Sequence, residues 1–343
     1  MRIINKRNEA LKRIGFSPIS LALVILALVL PAIPPFNQEY LIRWLISATL
    51  LAAQSIAFDF TAGFINVVNF GFAAFVGLGA YTSALMVIHY NLSPWIGMIL
   101  GGISSAILGL FTGMLSLRLR GIYAAILTWY IALAMVGLTR NFVDLTRGPL
   151  GLNVPYLFNT ASNVPYYYVV LGMLLLTYIV LRLITSSNIG LAFKVIGQNI
   201  DAARASGVDP TKYRVLNFMV SCAFAGWLGG FYAHYIGILT PQVMATMRTV
   251  EVLAITYIGG RGSIWGGALI AFPFTMLIEW FRSRFSDLPG GHLILYGLLL
   301  IVVMLFYPKG FAELCRYVIS ALYKGMSIFQ IVIQKQKVSS QKK

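Results

Sequence analysis

The chain has 343 residues, 59% of them apolar and only 10% charged, against about 25% charged in an ordinary soluble domain. That balance excludes a soluble globular domain, a disordered chain and a nucleic-acid binder, because a water-facing surface needs roughly a quarter to a third of its positions charged. Net charge is +16, from 26 Lys and Arg against 10 Asp and Glu, and the basic residues sit at the chain ends and in a few loops, as membrane orientation requires.

Apolar runs of about 20 residues cross a hydrocarbon core of about 30 Å. In chain order nine qualify: 17–35, 40–58, 71–90, 95–117, 121–139, 165–185, 213–236, 264–281 and 292–307. The first reads as a retained anchor and not a signal peptide, since the PAIPPFNQEY that follows offers no small-x-small cleavage site. A tenth run, 243–260, carries Arg248 and Glu251 and is expected to be short or partly re-entrant. Charge placement argues that it crosses. Arg2, Lys6, Arg7, Lys12 and Arg13 precede the first span, and Lys309, Arg316, Lys324, Lys335, Lys337, Lys342 and Lys343 follow the last. Positive flanks favour the cytoplasmic side, so both ends belong inside and the crossings are even in number. Ten crossings also place Arg118, Arg120, the basic 182–214 stretch and Arg261 inside. The expected fold class is all-α: a polytopic transmembrane helical bundle of about ten spans. It divides into a basic cytoplasmic N-terminus (1–16), a membrane body (17–310) and a basic cytoplasmic tail (311–343), the tail suited to anionic lipid.

Lipid gives helices no hydrophobic reason to associate, so small residues four apart do the packing. Gly97/Gly101, Gly109/Gly113, Gly226/Gly230 and Gly262/Gly266 fit that pattern. Candidate catalytic chemistry is not found. His89, His234 and His292 are scattered among span ends, Cys222 and Cys315 form neither a disulfide framework nor a metal site, and there is no HExxH, GxSxG or phosphate-binding GxxxxGK[ST]. Ionisable residues at membrane depth are candidates for function. Asp59, Glu251 and Glu279 are the carboxylates to consider, with Arg248 three residues from Glu251 on the same helical face; interfacial or local pairing remains the alternative for each. None sits clearly mid-span, which weakens an ion-coupled secondary transporter.

Residues 186–212 are the longest polar stretch between inward-facing span ends. The spacing of Leu191, Val195, Ala202 and Ala203 predicts a short helix over 190–207, ended by Gly207 as C-cap, with Asp209-Pro210 turning into the next span. A helix lying across the cytoplasmic face and fixed to two spans is suited to receive force from a soluble partner, or serves as an interfacial linker.

The stretch from Gly197 through Asn199, Asp201, Ala202, Ala203 and Gly207 to Val208 resembles the EAA-type loop of ATP-binding-cassette (ABC) importer permeases: an acidic residue, two alanines, three variable residues and a glycine. It is most similar to the branched-chain amino acid permease family of LivH/LivM type. GFINVVNFGFAAFVGLGAY at 63–81, RLRGIYAAILTWY at 118–130, TRGPLGL at 146–152 and VEVLAITYIGGRGSIWGGALI at 250–270 resemble that family's segments in order. The likeness covers roughly residues 40–310. Asn66 stands where the family usually has Gly, Phe72 where it often has His, and Gly197 where Arg is common before the coupling helix. The resemblance implies a membrane permease subunit that holds no cofactor itself, ATP being used by partner subunits. Its expected partners are a second permease subunit (the same or a related chain), two cytoplasmic ABC ATPases gripping the 190–208 region, an extracytoplasmic solute-binding protein and the lipid bilayer, with no nucleic acid. Branched-chain amino acids are the implied substrate; other amino acids, urea and short amides are alternatives. Asn66, Asn69 and Gly71, beside an expected helix break at 63–71, and Glu251 are the expected substrate-path residues.

Overall fold

The structure, a computed structural model, describes residues 18–33, 38–117, 119, 121–160 and 162–284, together with positions 294, 297, 298, 301, 302, 305 and 310–313. In chain order the helices are α1 (Pro18–Val29), α2 (Glu39–Ala62), α3 (Phe72–Tyr90), α4 (Pro94–Ser116), α5 (Ile122–Asn141), α6 (Val143–Thr146), α7 (Val164–Thr185), α8 (Asn188–Gln198), α9 (Ile200–Ala205), α10 (Pro210–Ile236), α11 (Thr246–Gly259) and α12 (Trp265–Arg284). Proline opens α4 and α10, where its missing N–H has no helical partner to lose. Two short strands, β1 (Leu152–Asn153) and β2 (Ile238–Leu239), pair antiparallel at the end of the bundle away from α8.

Among the described residues, six helices are long and apolar enough to cross a membrane: α2, α3, α4, α5, α7 and α10. The sequence alone suggests ten. The described part of the first run is a helix of 12 residues followed by a 3-10 turn at Leu30–Ala32. The segment expected to be short is so: α11 has 14 residues, about 21 Å at 1.5 Å per residue, less than the hydrocarbon thickness. The chain before it descends into the bundle as β2 and a 3-10 turn, Pro241–Met244, with Met244 buried on Gly77 and 3.4 Å from the Thr139 hydroxyl. Irregular backbone at such a place is tolerated because protein surrounds it. The expected tenth span, 292–307, lies outside the described residues.

The tightest packing is α10 against α3 and α4. A Cβ on Gly79 falls into the backbone of Gly226, one on Gly101 meets the Gly79 carbonyl, and one on Gly109 meets Cys222. Small residues thus let three backbones touch, the packing that a bilayer demands. Gly262 does not join this set: it lies in a loop at φ +78°, outside any helix. The other face of α10 is tied to α2 by polar groups. Ser221 donates to the Ala57 carbonyl at 2.7 Å and Asn217 to the Phe60 carbonyl at 2.8 Å. α2 in turn packs on α7 and α12, so it is the central post of the second half of the bundle. Between Ser83 at 2.9 Å and the Pro155 carbonyl at 2.8 Å, buried His234 pins the 142–163 connection to α3 and α10. Because a carbonyl only accepts, Nδ1 of His234 carries the proton.

Candidate functional site: an end-face double helix and an interior cavity

One helix was expected over 190–207; there are two. Asn199 is extended, at φ −156° and ψ 116°, and its side chain accepts the amides of Asp201 at 2.9 Å and Ala202 at 3.1 Å. Asparagine competes with helix continuation by capping, and here the cap wins. α9 then closes with the Val208 amide on the Ala203 carbonyl and the Gly207 amide on that of Arg204, both at 3.0 Å. Gly207 is left-handed at φ +78°. These two bonds with a left-handed glycine form a Schellman termination. Asp209 next accepts the Thr211 amide at 2.9 Å and starts α10. Three caps in succession give α9 a fixed geometry despite its few residues. Ala203 faces inward and is fully buried, while Asp201, Ala202, Arg204, Ala205 and Ser206 are exposed. Asp201 and Arg204 form a surface ion pair at 3.5 Å, of the kind that contributes little stability.

α8 anchors this unit. Phe193 is fully buried, edge-on to Phe60 at 5.4 Å and to Tyr213 at 6.1 Å. Gly197 lies on the Phe64 carbonyl, where any Cβ collides. That contact accounts for glycine at this position. From Phe64 the contacts continue. Asn66, exposed and left-handed at φ 57°, accepts from Arg261 at 2.9 Å. The Asp59 carboxylate, only 3% exposed, accepts the amides of Gly262 at 2.7 Å and Ile264 at 2.9 Å. Ile264 has φ 64°, an outlier for a β-branched residue and so a strained one. Asp59 is therefore partnered across the fold, with the 260–264 loop that joins α11 to α12, and not with a local side chain.

The expected break between the second and third spans is present: α2 ends at Ala62 and α3 begins at Phe72. Its residues serve the start of α3. Asn69, 1% exposed, accepts the Gly71 amide at 3.1 Å, and Gly71 lets the chain pass against the Thr128 carbonyl. Thr128 and Thr249 accept the amides of Phe70 and Ala73, each at 3.0 Å. The Ala73 amide in the first turn of α3 is thereby satisfied from α11, and the Phe70 amide just before the helix from α5.

Glu251 lies elsewhere, on the wall of a cavity of about 260 Å³ between α2, α3, α10, α11 and α12. It is 8% exposed and takes an ion pair from Arg248 at 3.1 Å; the Arg248 side chain is 55% exposed. The structure thus gathers Asn66 with the α8 end face, Asn69 and Gly71 at the foot of α3, and Glu251 at the cavity. Gln54 and Thr275 also line that cavity. Neither stands out in the sequence as a site residue, although each is a polar residue inside an apolar run, which is the signal that marks them.

Six helices long and apolar enough to cross a membrane, polar side chains bonded between them and a capped double helix at one end make a multi-pass helical membrane protein. Residues 40–304 match the family described as the permease component of the branched-chain amino acid transport system, and the chain belongs to that family, one of transport permeases and not enzymes. The chain is 29% identical over 282 residues to the high-affinity branched-chain amino acid transport system permease protein LivM of Salmonella typhimurium, covering 74% of this chain and 65% of that protein. Similarity to LivH of the same organism is 24% over 284 residues, covering 76% and 90%. The guanosine ABC transporter permease protein NupQ of Bacillus subtilis is 22% identical over 292 residues, covering 76% and 90%. The chain spans 65% of the length of the LivM relatives it matches. No solved structure matches.

Proposed function

We propose that this chain is the membrane permease subunit of an ABC importer, carrying branched-chain or related amino acids through the cytoplasmic (inner) membrane. The observation that carries the reading is the α8–α9 unit: a short helix with a fixed cap at each end, its exposed face turned outward, its buried face bolted to three other parts of the chain. Both termini and this unit face the cytoplasm. Two ATPase subunits use the ATP, each gripping one permease through residues 197–208: Gly197 seats the unit, Asn199 and Gly207 with Val208 fix its ends, and Asp201, Ala202 and Ala203 set its docking shape. Closure of the ATPases pulls the two end faces together and rocks the spans, alternating access to a pathway between two permease subunits. An extracytoplasmic binding protein delivers substrate at the opposite end, over the 142–163 connection. The LivM and LivH relatives support the amino-acid substrate; NupQ favours a nucleoside as the second reading.

Reconstitution tests this directly. Proteoliposomes with the chain, its partner permease, ATPases and binding protein should accumulate leucine only with internal ATP. Ala203→Lys and Gly207→Lys should insert normally and keep the chain in the membrane, yet abolish uptake. Uphill accumulation by the purified chain alone, driven by an ion gradient, would establish a secondary transporter instead. Normal uptake and ATPase stimulation in both variants would show that ATPase force enters elsewhere.

A further inference from the structure

At the end of the bundle opposite α8 and α9, a hollow of about 510 Å³ lies between α2, α7, α10 and the 156–163 part of the connection. That size falls within the roughly 300–1,000 Å³ of small-molecule pockets. Its walls are braced across elements. The Tyr166 hydroxyl accepts the Phe158 amide at 3.1 Å and donates to the Phe158 carbonyl at 3.2 Å. The two rings meet edge-on at 5.2 Å, and Tyr235 packs on Tyr166 at 5.4 Å while stacking on Phe231 at 6.0 Å. The Leu157 amide binds the His234 carbonyl at 3.2 Å. A hollow held this way is preformed, so a ligand meets little ordering cost.

Arg43 is the one charged side chain on its wall among the described residues. Glu39, one turn earlier on α2, has the i,i+4 spacing of a helical ion pair. Its Oε2, however, takes the Asn163 amide at 3.1 Å and the Asn163 side chain at 2.6 Å. The Arg43 side chain makes no hydrogen bond or salt bridge among the described residues. It therefore brings a guanidinium with its N–H donors uncommitted, in the fork that matches a carboxylate. Phe158, Tyr235 and Ile236 also line the hollow, and apolar walls favour an anion with an apolar body over a bare inorganic one.

We propose that this hollow is an entry site that holds an amino acid by its carboxylate, on Arg43, with the apolar side chain against Phe158, Tyr235 and Ile236. The inference rests on the amino-acid importer reading and places the first contact of released substrate on this subunit. Tyr235 and Ile236 line both this hollow and the interior cavity, so they form the partition between a ligand on Arg43 and the interior. A neutral nucleoside gives Arg43 no anion.

The test is protection of a cysteine placed in the hollow. Thr160, exposed on its wall, is replaced by cysteine in a chain carrying Cys315→Ser; Cys222 is buried. The permease–ATPase complex, in phosphatidylcholine nanodiscs and without binding protein, is labelled with a water-soluble maleimide. L-leucine and 4-methylpentanoate, which share a carboxylate on the same apolar body, should slow labelling. The amine 3-methylbutylamine, which lacks the carboxylate, and guanosine should not. Arg43→Gln should raise the half-protecting leucine concentration about tenfold or more, as loss of a charge-assisted hydrogen bond implies; Arg43→Lys, which keeps the charge but not the fork, should raise it less. Arg140→Gln, exposed at the same end but off this wall, should change nothing. Labelling unaffected by either carboxylate, in a complex that imports leucine, overturns the site and leaves the importer reading standing. Equal protection in the Arg43→Gln variant does the same, including where that variant loses only its hold on the binding protein. A complex that imports a nucleoside and no amino acid overturns both.

Discussion

The Asp59 carboxylate accepts the Gly262 amide at 2.7 Å, joining residues 203 positions apart in the chain. This bond ties the foot of α2 to the loop between α11 and α12. The same loop reaches Asn66 through Arg261, and the neighbouring Phe64–Ile65 backbone carries Gly197 of α8. A displacement of α8 therefore has a continuous set of contacts to α11 and α12, two of the five helices that wall the cavity.

Asp59→Asn replaces one acceptor oxygen with a donor and leaves either the Gly262 or the Ile264 amide facing an N–H. Hydrogen bonds to charged groups contribute about 1.5–3 kcal/mol, and Ile264 needs its bond to stay left-handed. The variant should lose about that much stability, read as a lower thermal midpoint of the purified protein in detergent. An unchanged midpoint means that the carboxylate holds nothing.

Gly197→Ala tests the seat of α8. The added methyl has no room against the Phe64 carbonyl, so α8 must lift. Uptake should fall several-fold with expression unchanged, because the defect is local to the end face. Phe193→Ala removes the other anchor and should cost about 3–5 kcal/mol as a buried aromatic truncation. Limited proteolysis between 186 and 209 should rise in both variants. If cleavage rises in neither, α8 is held by something other than these two contacts.

What the sequence reveals and what it hides divide along the range of the interaction. Long spans such as α4 and α10 are legible because apolar runs above about 18 residues suit the bilayer core and little else. The glycines on α4 and α10 show their packing faces for the same reason. Asn199 is different: asparagine is only mildly unfavourable within a helix, and its cap is visible only once the following amides turn toward it. Asp59 reads as the charged end of a span because its partners lie some two hundred residues away. Ten spans exceed the six among the described residues because the apolar parts of the first run and of α12 are shorter helices, α11 has only 14 residues, and 292–307 lies outside the described residues. The cavity is invisible to any linear pattern, since its polar wall is assembled from α2, α11 and α12, far apart in the chain.

Asn199 offers a test of the break itself. Asn199→Ala removes the cap of α9 and should cost about 1 kcal/mol locally, favouring fusion of α8 and α9 into one helix. The docking face then rotates, so uptake should drop while the protein remains folded. Asn199→Asp preserves the acceptor and should transport normally. Equal activity of the alanine and aspartate variants would mean that docking does not depend on the break.

Gly226 and Gly172 are both glycines in long helices, and their neighbours predict opposite outcomes. A methyl at Gly226 meets the Ser105 side chain and the Gly101 carbonyl, while one at Gly172 meets nothing within 4 Å. Gly226→Ala must therefore push α10 off α4, at the roughly 1–3 kcal/mol or more that overpacking costs. With Gly79 also against Gly226, α3 moves too. Gly172→Ala gains helix propensity, about 0.5–1 kcal/mol, and fills open space. The thermal midpoint should fall for the first and hold or rise for the second. Matching losses in both would show that helix approach through α3, α4 and α10 is not what holds this bundle together.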